Sequence, residues 1–362
     1  MTPEASYGRA GVPEDRGRKH RATSFTSDPA ARRLRTGGRT LLLLSDPINA
    51  SILRLLARGS LESADLGERL RNVSRSTRFE RLRELEGLGV IVREKRAGTP
   101  PVTECRLTGA GVRLLPVAAL LEAWLDAAPA GSLFLGDSSA TGTIKALTLG
   151  WGSTLLRWLA EQPRSLSELE PLVGEEVGYR ELERILRNLI EVGLAERVTG
   201  KQRLRPHTVT SWARESTAPI AAAVRWERHE IPECGAPVTA IDAESGLLLA
   251  LPLIKPPPGL DGACLLLVDT EAPDGDRPGR IAARVADGRL ASCAQASEWD
   301  VSVGNWLRGT MLAWLDALIE GHSKGLEAAG DVGLAEGLIA ALHEALFRRS
   351  GLNAGRLFDL SR

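Results

Sequence analysis

The stretch Leu82-Arg-Glu-Leu-Glu-Gly-Leu-Gly-Val90 occurs a second time, with the same spacing of its apolar residues, as Leu186-Arg-Asn-Leu-Ile-Glu-Val-Gly-Leu194. A second pair of similar segments precedes these two, Ile-Leu-Arg-Leu-Leu-Ala-Arg-Gly at residues 52–59 and Leu-Leu-Arg-Trp-Leu-Ala-Glu-Gln at residues 155–162. The first pair is offset by 104 residues and the second by 103. A nearly constant offset over two separate segments indicates that one domain has been duplicated within the chain.

The first copy begins with a clear signal for the start of a helix. Asp46 can act as an N-cap, and Pro47 suits the first helical position. The apolar residues that follow recur at i, i+4, i+7 and i+8, which predicts the buried face of a helix that ends at Gly59. These apolar residues are Ile48, Ile52, Leu55 and Leu56.

Two further helices, two strands and a closing helix are predicted for the same copy. Ser63 and Ser74 can each cap one of the two helices. Residues 90–92 and 102–107 predict the strands, and residues 111–125 predict the closing helix. Three helices followed by a two-stranded ribbon is the order of a winged helix-turn-helix domain. The residues of the third helix predicted to face inward are Phe79, Leu82 and Leu85.

The second copy is predicted over residues 145–231. Its first helix ends before Pro163, a cap at Ser165 or Ser167 starts the second, and residues 179–191 form the third. A shorter wing is predicted around residues 199–201 and a closing helix over residues 211–228. Residues 128–144, rich in Ala, Gly and Ser, are predicted to link the two copies.

From residue 232 onward the pattern is typical of an α+β domain. Short apolar runs at residues 247–251 and 264–268 suit buried strands. Asp287-Gly288 is a hairpin turn signal between two more strands. Two helices are predicted to follow, one carrying Leu307, Met311, Trp314, Leu315 and Leu318 and the other Leu334, Leu338, Ile339, Leu342 and Leu346.

The predicted fold class is therefore α+β, with two tandem winged helix-turn-helix domains followed by an α+β domain. The boundaries expected from the sequence are a disordered basic tail over residues 1–38, a first winged helix over 39–127, the linker over 128–144, a second winged helix over 145–231 and the last domain over 232–362.

The net charge of the chain is zero, but the charge is unevenly distributed. Residues 1–40 carry nine Lys or Arg against four acids, residues 41–110 carry twelve against nine, and residues 232–362 carry eleven against eighteen. This asymmetry favours a nucleic-acid-facing N-terminal half and a C-terminal half with another task. The alternative interpretation is a solvated basic tail beside an ordinary acidic domain.

The composition predicts a cytoplasmic protein that does not enter a membrane. Apolar residues make up 43% and charged residues 25% of the chain, which is usual for soluble globular proteins. No apolar run approaches the roughly 18 residues of a membrane-spanning helix. The four cysteines lie far apart without metal-ligand or redox spacing, which suits reduced thiols.

The N-terminal part of the third helix of a winged helix meets base edges in the major groove, and the wing contacts phosphates. Hydroxyl side chains reach phosphates or bases there, and arginine pairs bidentately with guanine. Arg78 falls beside the inward-facing leucines and is expected to cover apolar surface with its stem. The alternative interpretation of this helix is a solvated face. The predicted DNA-binding residues are Ser74, Arg75, Ser76, Thr77 and Arg81 on the helix and Arg93, Lys95 and Arg96 on the wing.

The third helix of the second copy is less suited to bind DNA than that of the first copy, because its glutamates repel the phosphates of the DNA backbone. Its more favoured role is that of a scaffold or of a mimic of a dimer partner.

The run Gly89-Val-Ile-Val-Arg-Glu-Lys-Arg-Ala-Gly-Thr-Pro-Pro-Val-Thr-Glu-Cys-Arg-Leu-Thr-Gly-Ala-Gly111 resembles the HxlR-type winged-helix regulators of bacteria. The likeness covers about residues 42–125, and the second copy resembles the family only in outline. It implies binding to double-stranded DNA and dimerisation through the terminal helices, so the chain is expected to be a homodimer or a monomer with an internal pseudo-dimer. Cys105 replaces the family's usual aromatic residue, and no cysteine lies near the first helix, so thiol sensing is not expected.

Residues 235–350 more weakly resemble the sterol-carrier-protein-2-like fold. The similarity lies in Arg284-Val-Ala-Asp-Gly-Arg-Leu290, in the helix predicted over 306–318 and in Leu326-Glu-Ala-Ala-Gly-Asp331. That fold encloses an apolar tunnel, which implies a hydrophobic small-molecule ligand. Packing of the domain core is the alternative role of the candidate ligand-binding residues, which are Trp306, Met311 and Trp314.

The sequence gives little indication of catalysis. The five histidines are scattered without metal-ligand spacing, and phosphate-cradling or nucleophile-elbow motifs are missing from the sequence. We therefore expect no enzyme activity, no cofactor and no metal. The favoured function is a DNA-binding transcriptional regulator controlled by an apolar molecule in the C-terminal domain. The alternatives are a tandem winged-helix scaffold for protein partners and a carrier of lipophilic ligands, neither of which would bind DNA.

Overall fold

The computed structural model contains three successive regions of secondary structure, and its first region is a helical domain with a small sheet. The residues it describes are 36–97, 102–174, 177–198, 206–232, 237–271, 277–296 and 304–348. The disordered tail predicted for residues 1–38 lies outside this set except for residues 36–38. The elements of the first region are α1 (Gly38–Ser45), α2 (Pro47–Leu56), β1 (Leu61–Glu62), α3 (Ser63–Arg69), α4 (Arg75–Gly87), β2 (Ile91–Arg96), β3 (Val102–Leu107) and α5 (Gly109–Asp126).

The helix starts of this region follow local side-chain chemistry. Asp46 caps α2 by accepting from the backbone N–H groups of Ile48 and Asn49 at 2.9 and 3.1 Å, as predicted. Ser74 caps α4 by accepting from Thr77 N at 3.2 Å, also as predicted. Ser63 was expected to cap α3 but is its first residue, and its hydroxyl lies 3.4 Å from Cys105 Sγ.

The wing strands are fixed to the helices at the start of α5. Strand β3 lies between β1 and β2, antiparallel to both. The Thr108 hydroxyl donates to the carbonyls of Gly89 and Val90. A Cβ at Gly111 would lie 2.1 Å from the Val90 carbonyl oxygen, so only glycine permits this approach. The closing helix and the wing therefore move together.

The second region repeats the order of three helices, two strands and a closing helix. The predicted bounds of its third helix are confirmed, and Ser165 caps the second in a capping box with Glu168. Thr210 donates to the carbonyl of Gly193 at 2.8 Å, as Thr108 does to Gly89. The predicted wing around residues 199–201 lies outside the described residues. The elements are α6 (Ser138–Thr148), α7 (Gly150–Glu161), α8 (Leu166–Val173), α9 (Tyr179–Glu191), β4 (Ala195–Arg197), β5 (His207–Val209), α10 (Ser211–Glu215) and α11 (Thr217–Glu230).

Two predictions for this region differ from the structure. The predicted linker is helical in its second half, where Ala140, Thr143 and Ile144 of α6 are buried and α6 packs on α1. An Ala- and Ser-rich composition therefore reflected close helix packing and not a flexible connection. The predicted closing helix is interrupted at Ser216, which separates α10 from α11 and donates its hydroxyl to the carbonyl of Ala213 at 2.6 Å.

Helix α5 contacts α10 and α11 through tryptophan hydrogen bonds that are related by one sequence offset. Trp124 Nε1 donates to the carbonyl of Trp212 at 2.8 Å, and Trp226 Nε1 donates to the carbonyl of Ala110 at 2.9 Å. Both the two donors and the two acceptors are 102 residues apart. Such an exchange of equivalent contacts is the pattern of a two-fold interface. In addition, the Trp124 and Trp212 rings stack with centroids 4.5 Å apart.

The third region is built on a five-stranded sheet in the order β10-β9-β6-β7-β8, in which β6 and β9 are parallel and the other neighbours antiparallel. The predicted hairpin is confirmed, with Asp287 and Gly288 at φ values of 52° and 66° between β7 and β8. The elements are α12 (Ala240–Ala250), a short 3₁₀ turn (Leu251–Leu253), β6 (Gly262–Asp269), β7 (Gly279–Ala286), β8 (Arg289–Gln295), β9 (Trp306–Thr310), α13 (Met311–Glu320), β10 (Glu327–Ala329), α14 (Val332–His343) and a π-helical turn (Glu344–Arg348).

The strand predicted at residues 247–251 is wrong, because these residues form the last turn of α12 and the following 3₁₀ turn. The buried residues Ala240, Ala243, Glu244 and Leu247 recur at i, i+3, i+4 and i+7, which is a helical stripe. A short apolar run alone does not distinguish a buried strand from a buried helix end. Leu307, predicted on the first C-terminal helix, instead lies in β9.

Helix α12 is fixed to the sheet by the buried carboxylate of Glu244. This carboxylate accepts from the Arg277 guanidinium at 2.6 Å, from the Arg280 backbone N–H at 3.1 Å and from the Gln295 amide at 2.7 Å. A buried charge is tolerated when it is paired and hydrogen-bonded in this way. Among the described residues, none of the helices is both long and apolar enough to span a bilayer.

Candidate nucleic-acid interface

Helix α4 presents its N-terminal turn at the surface, and a cluster of hydroxyl groups marks that turn. Ser74 Oγ lies 3.0 Å from Ser76 Oγ and 2.7 Å from Thr77 Oγ1. Ser74, Arg75 and Ser76 are exposed. Hydroxyls and backbone N–H groups at a helix N-terminus are suited to contact a phosphate.

The exposed cations of this surface lie on α4 and on the wing. Arg75, Arg83 and Lys95 are exposed, and none of them makes an ion pair within the part of the chain that the structure describes. Their charge is therefore available to an external anion. Arg69 and Arg71, at the end of α3 and in the turn, are exposed as well.

The other predicted cations are held by carboxylates of the chain. Arg81 is partly buried and bridges Asp46, the N-cap of α2, at 3.0 Å and Glu84 at 2.9 Å. The hydrogen bond to Glu84 raises the pKa of the Arg81 guanidinium. Arg96 pairs with Glu104 across the wing at 2.6 Å. Arg81 therefore fixes α4 against α2, and Arg96 presents only part of its charge.

Arg93 is also paired, and one of its partners is Phe79, which lies on a different face of α4 from the one predicted. Its guanidinium is bound to Glu86 and lies over the ring of Phe79, 5.2 Å from the centroid. Phe79 was predicted to face inward but is 55% exposed. The buried stripe of α4 runs through Arg78, Leu82 and Leu85 at i, i+4 and i+7, and this places Phe79 about 100° away from Arg78.

Phe79 and Arg75 lie one helical turn apart on the outer side of α4. An exposed phenylalanine beside exposed arginine is an uncommon arrangement for a merely solvated face. In DNA recognition an apolar side chain contacts the methyl group of thymine, and arginine binds guanine. The arrangement is therefore suited to read bases.

The orientation of α4 is set by Arg78, which does not reach outward. Its Nη1 donates to the carbonyl of Gly67 at 2.6 Å and to that of Leu70 at 3.4 Å. These carbonyls lie at the C-terminal end of α3, where a cation is favourable. Arg78 thus fixes the angle between the two helices of the motif, in agreement with its predicted non-reading role.

The equivalent surface of the second region has different chemistry. At an offset of 104 residues, Tyr179 occupies the position of Arg75 and Glu183 that of Phe79. Arg184 pairs with Glu181 at 2.6 Å, and Arg187 pairs with Glu183 at 2.9 Å. Helix α9 therefore offers a largely neutralised face.

Two of the three predicted ligand-binding residues come together at a cavity. Met311 and Trp314 line a cavity of about 150 Å³ between the second region and the C-terminal sheet domain. Trp306 is not part of its lining, because it lies on β9 and pairs with Leu265 and Ala329. Within the described residues, no cluster of three or more His, Cys, Asp or Glu side chains is suited to hold a metal ion.

Cys264 and Cys293 of the C-terminal domain are poor nucleophiles, which leads to a labelling prediction. Burial raises the pKa of the Cys264 thiol to about 12 and also raises the pKa of Cys293. Only about one Cys264 in ten thousand is then a thiolate at pH 8. We expect Ellman's reagent to modify Cys264 slowly in the native chain and rapidly in urea, as followed by peptide mass mapping. Rapid labelling of native Cys264 would contradict its burial.

No curated protein matches this chain. Residues 43–130, which span α2 to α5 and include the hydroxyl cluster, Arg75, Phe79 and the wing, match the HxlR-like helix-turn-helix family, and this match indicates a DNA-binding regulator of transcription.

Proposed function

We propose that the chain regulates transcription as an HxlR-type regulator that reads duplex DNA with α4 and the β2–β3 wing of its first region. The observation that carries this proposal is the exposed pair Arg75 and Phe79 on a helix that Arg78 and Arg81 hold in place. Base-reading groups require such a fixed support, because a displaced helix loses its register on the groove.

Phosphate contacts come from the groups around this pair. Lys95 on the wing and Arg83 on α4 have charge free for the DNA backbone, and the hydroxyls at the start of α4 add neutral contacts. Arg96 and Arg93 contribute less, since Glu104 and Glu86 neutralise them.

The second region serves, in this proposal, as a winged-helix copy that provides the dimer partner within the same chain. The exchanged hydrogen bonds support it, because Trp124 of α5 donates to α10 and Trp226 of α11 donates back to α5, as a two-fold axis would relate them. The neutralised face of α9 fits a partner that supports the reader and reads no bases itself.

The C-terminal domain is proposed to have a sterol-carrier-protein-2-like fold and to bind an apolar small molecule that controls DNA affinity. The single five-stranded sheet with helices packed on it supports the fold, and Met311 and Trp314 of this domain line the cavity that it shares with the second region. A ligand acts on DNA affinity only if it binds two arrangements of the chain with different strength.

The test of DNA binding is the salt dependence of affinity for the duplex upstream of the gene that encodes the chain. Lys95→Ala is expected to weaken binding and to lower the slope of log K against log salt by about 1, because one phosphate contact is lost. Fluorescence anisotropy at several salt concentrations measures both quantities.

Lys145→Ala is the matched control, because Lys145 is an exposed lysine on α6 and lies outside the proposed interface. It should leave the slope unchanged. Equal slopes for Lys95→Ala and the unaltered chain would remove the wing from the interface. Absence of DNA binding by the unaltered chain would favour a protein-interaction scaffold or a lipophilic carrier.

A further inference from the structure

We propose that the cavity between the second region and the C-terminal domain is an effector site for a small, uncharged molecule with a single ring, and that its occupancy shifts α11 against α5. This inference rests on the proposed DNA-binding function. The site is distinct from a tunnel inside the C-terminal domain, since helices of both regions form its walls. Among the lining residues are Leu156 of α7, Ile220 and Val224 of α11, Leu247 of α12, and Met311 and Trp314 of α13.

The polar groups that border the cavity are engaged elsewhere, so the walls offer mainly carbon. The Trp314 indole N–H donates to the Leu267 carbonyl at 2.8 Å, which leaves the ring carbons to face a ligand. Asp242 accepts from the Thr239 hydroxyl at 2.8 Å, and Arg157 lies 5.9 Å from the ring centroid of Trp158. The hydroxyls of Thr148, Ser153, Thr217 and Ser245 each donate to a backbone carbonyl three or four residues earlier in the chain.

One hydroxyl of the lining differs from these. Thr36 is buried, and its Oγ1 has no hydrogen-bond partner within the described residues. A buried polar atom without a partner is unfavourable, and a ligand oxygen would satisfy it after a rotation of the side chain. The lining therefore selects an uncharged molecule with at most one or two hydrogen-bonding groups. A charged ligand would lose its hydration, and the two charged side chains of the lining, Arg157 and Asp242, are already engaged by partners within the chain.

The size of the cavity sets the size of the ligand. A volume of about 150 Å³ is comparable to that of protein cavities that hold a benzene-sized ring. Met311 adds a flexible thioether, which adapts to ring edges. A phenol-sized molecule meets both the volume and the chemistry.

Helix α11 connects this cavity to the DNA-binding region because its two faces have different partners. One face carries Ile220 and Val224 into the cavity. The other places the Trp226 indole on the Ala110 carbonyl of α5, at 2.9 Å. The start of α5 is in turn packed on Val90, next to the wing. A ligand that displaces α11 therefore changes the position of α5 and the wing.

Gly246 of α12 offers a way to fill the site without a clash. It lines the cavity, and a Cβ built there meets nothing within 4 Å. Gly142 of α6 is the control, because it is also helical and free of neighbours within 4 Å, and it lies exposed outside the cavity. Gly246→Leu should occupy the cavity with a side chain, and Gly142→Leu should leave it empty.

Titration calorimetry of the full chain with phenol, and with benzoate as the charged analogue, tests the site without any DNA. We expect phenol to bind the unaltered chain and Gly142→Leu, to bind Gly246→Leu at least roughly tenfold more weakly, and to raise the Tm only where it binds. Benzoate should bind none of them. Equal binding of phenol to Gly246→Leu, absence of phenol binding, or tighter binding of benzoate would each overturn the site. Gly246→Val replaces Gly246→Leu if circular dichroism shows that the larger variant does not fold.

Anisotropy with operator DNA then tests the coupling. Phenol should change the DNA affinity of the unaltered chain by about fivefold or more, the lower range of allosteric coupling, and should leave that of Gly246→Leu unchanged. Phenol binding without a change in DNA affinity would overturn the coupling and leave the site. If no DNA binds at all, the proposed function fails while calorimetry still decides the site.

Discussion

The double substitution Arg75→Ala/Phe79→Ala is expected to lower the affinity for the specific operator by roughly a hundredfold or more. Each good base contact contributes about 1–3 kcal/mol of discrimination, and the variant removes two of them. Both side chains are exposed and Arg75 makes no ion pair among the described residues, so their loss should leave the fold intact. Competition anisotropy against the operator and a scrambled duplex measures the specific and the non-specific affinity separately.

The specific and the non-specific affinities should respond differently to this variant. Non-specific binding depends on phosphate contacts, to which Lys95 and Arg83 still contribute, so it should fall by much less than the specific affinity. An equal loss of both affinities would mean that Arg75 contacts only phosphate and that Phe79 contacts nothing.

The duplication offers a matched control for this experiment. Tyr179→Ala/Glu183→Ala changes the two equivalent positions of α9, at an offset of 104 residues. Because α9 is not expected to read bases, this variant should keep the operator affinity within about twofold, or raise it slightly through the loss of a carboxylate near the phosphates. If the two double variants lose specificity equally, both helices read DNA and the proposed division of roles is wrong.

The parts of the fold that the sequence predicted well depend on residues close together in the chain. Asp46 and Ser74 cap helices through backbone groups two or three residues away, and Asp287-Gly288 forms its turn alone. The helix predicted over residues 179–191 also follows from local sequence, and the structure confirms it as Tyr179–Glu191. Such features are set by neighbouring side chains and are readable before any tertiary contact is known.

The predictions that failed depend on distant contacts. Residues 247–251 were assigned to a strand because a short apolar run has no period, and the packing of α12 on the sheet decided the outcome. Phe79 was predicted to face the core because it is apolar. In the structure the inward-facing position is taken by Arg78, whose guanidinium donates to a carbonyl at the end of α3, and Phe79 is exposed. The hydrocarbon part of an arginine side chain is commonly buried, but the sequence does not show which carbonyl groups its guanidinium will bind.

The candidate DNA-binding surface on α4 and the wing is a prediction from the sequence. The structure adds the ion pairs, which separate the free cations of this surface from the paired ones. Arg81 is 35 residues from its partner Asp46, and Arg96 is paired with Glu104 across the wing. Asp46 is too distant in the chain for a sequence pattern to link it to Arg81, and the pairing of Arg96 depends on the register of β2 and β3, so neither the positioning role of Arg81 nor the neutralisation of Arg96 was predictable. The location of the ligand cavity was missed for the same reason, since α7, α11 and α13 meet only in the folded chain.

Trp124→Ala is expected to lower the free energy of unfolding by about 3–5 kcal/mol, the usual cost of truncating a buried aromatic side chain to alanine. The Trp124 indole is 5% exposed, stacks on Trp212 and donates to the Trp212 carbonyl at 2.8 Å. Its removal leaves a void between α5 and α10 and leaves the buried Trp212 carbonyl without that donor. Urea denaturation followed by far-ultraviolet circular dichroism measures the change.

Trp151→Ala provides the comparison, because Trp151 is a helical tryptophan that is only partly buried and contacts Trp158 at 6.5 Å between centroids. Its truncation should cost clearly less than that of Trp124. Trp226→Phe keeps the ring and removes only the hydrogen bond to the Ala110 carbonyl, so it should cost about 1–2 kcal/mol. If Trp151→Ala is as destabilising as Trp124→Ala, the contact between α5 and α10 contributes no more to stability than that of a partly buried tryptophan.

The same variants test whether the chain contains its own dimer. If α5 and α11 form an intramolecular two-fold interface, the apolar surface that would pair two chains is already covered, and light scattering should give the mass of one chain. The two regions should then unfold together in the unaltered protein, because each loses its partner when the other unfolds. Trp124→Ala weakens that coupling and should separate the single transition into two, with the first region melting earlier. A dimer of chains, or two independent transitions in the unaltered protein, would show that the closing helices pair otherwise and that the reciprocal tryptophan contacts serve only local packing.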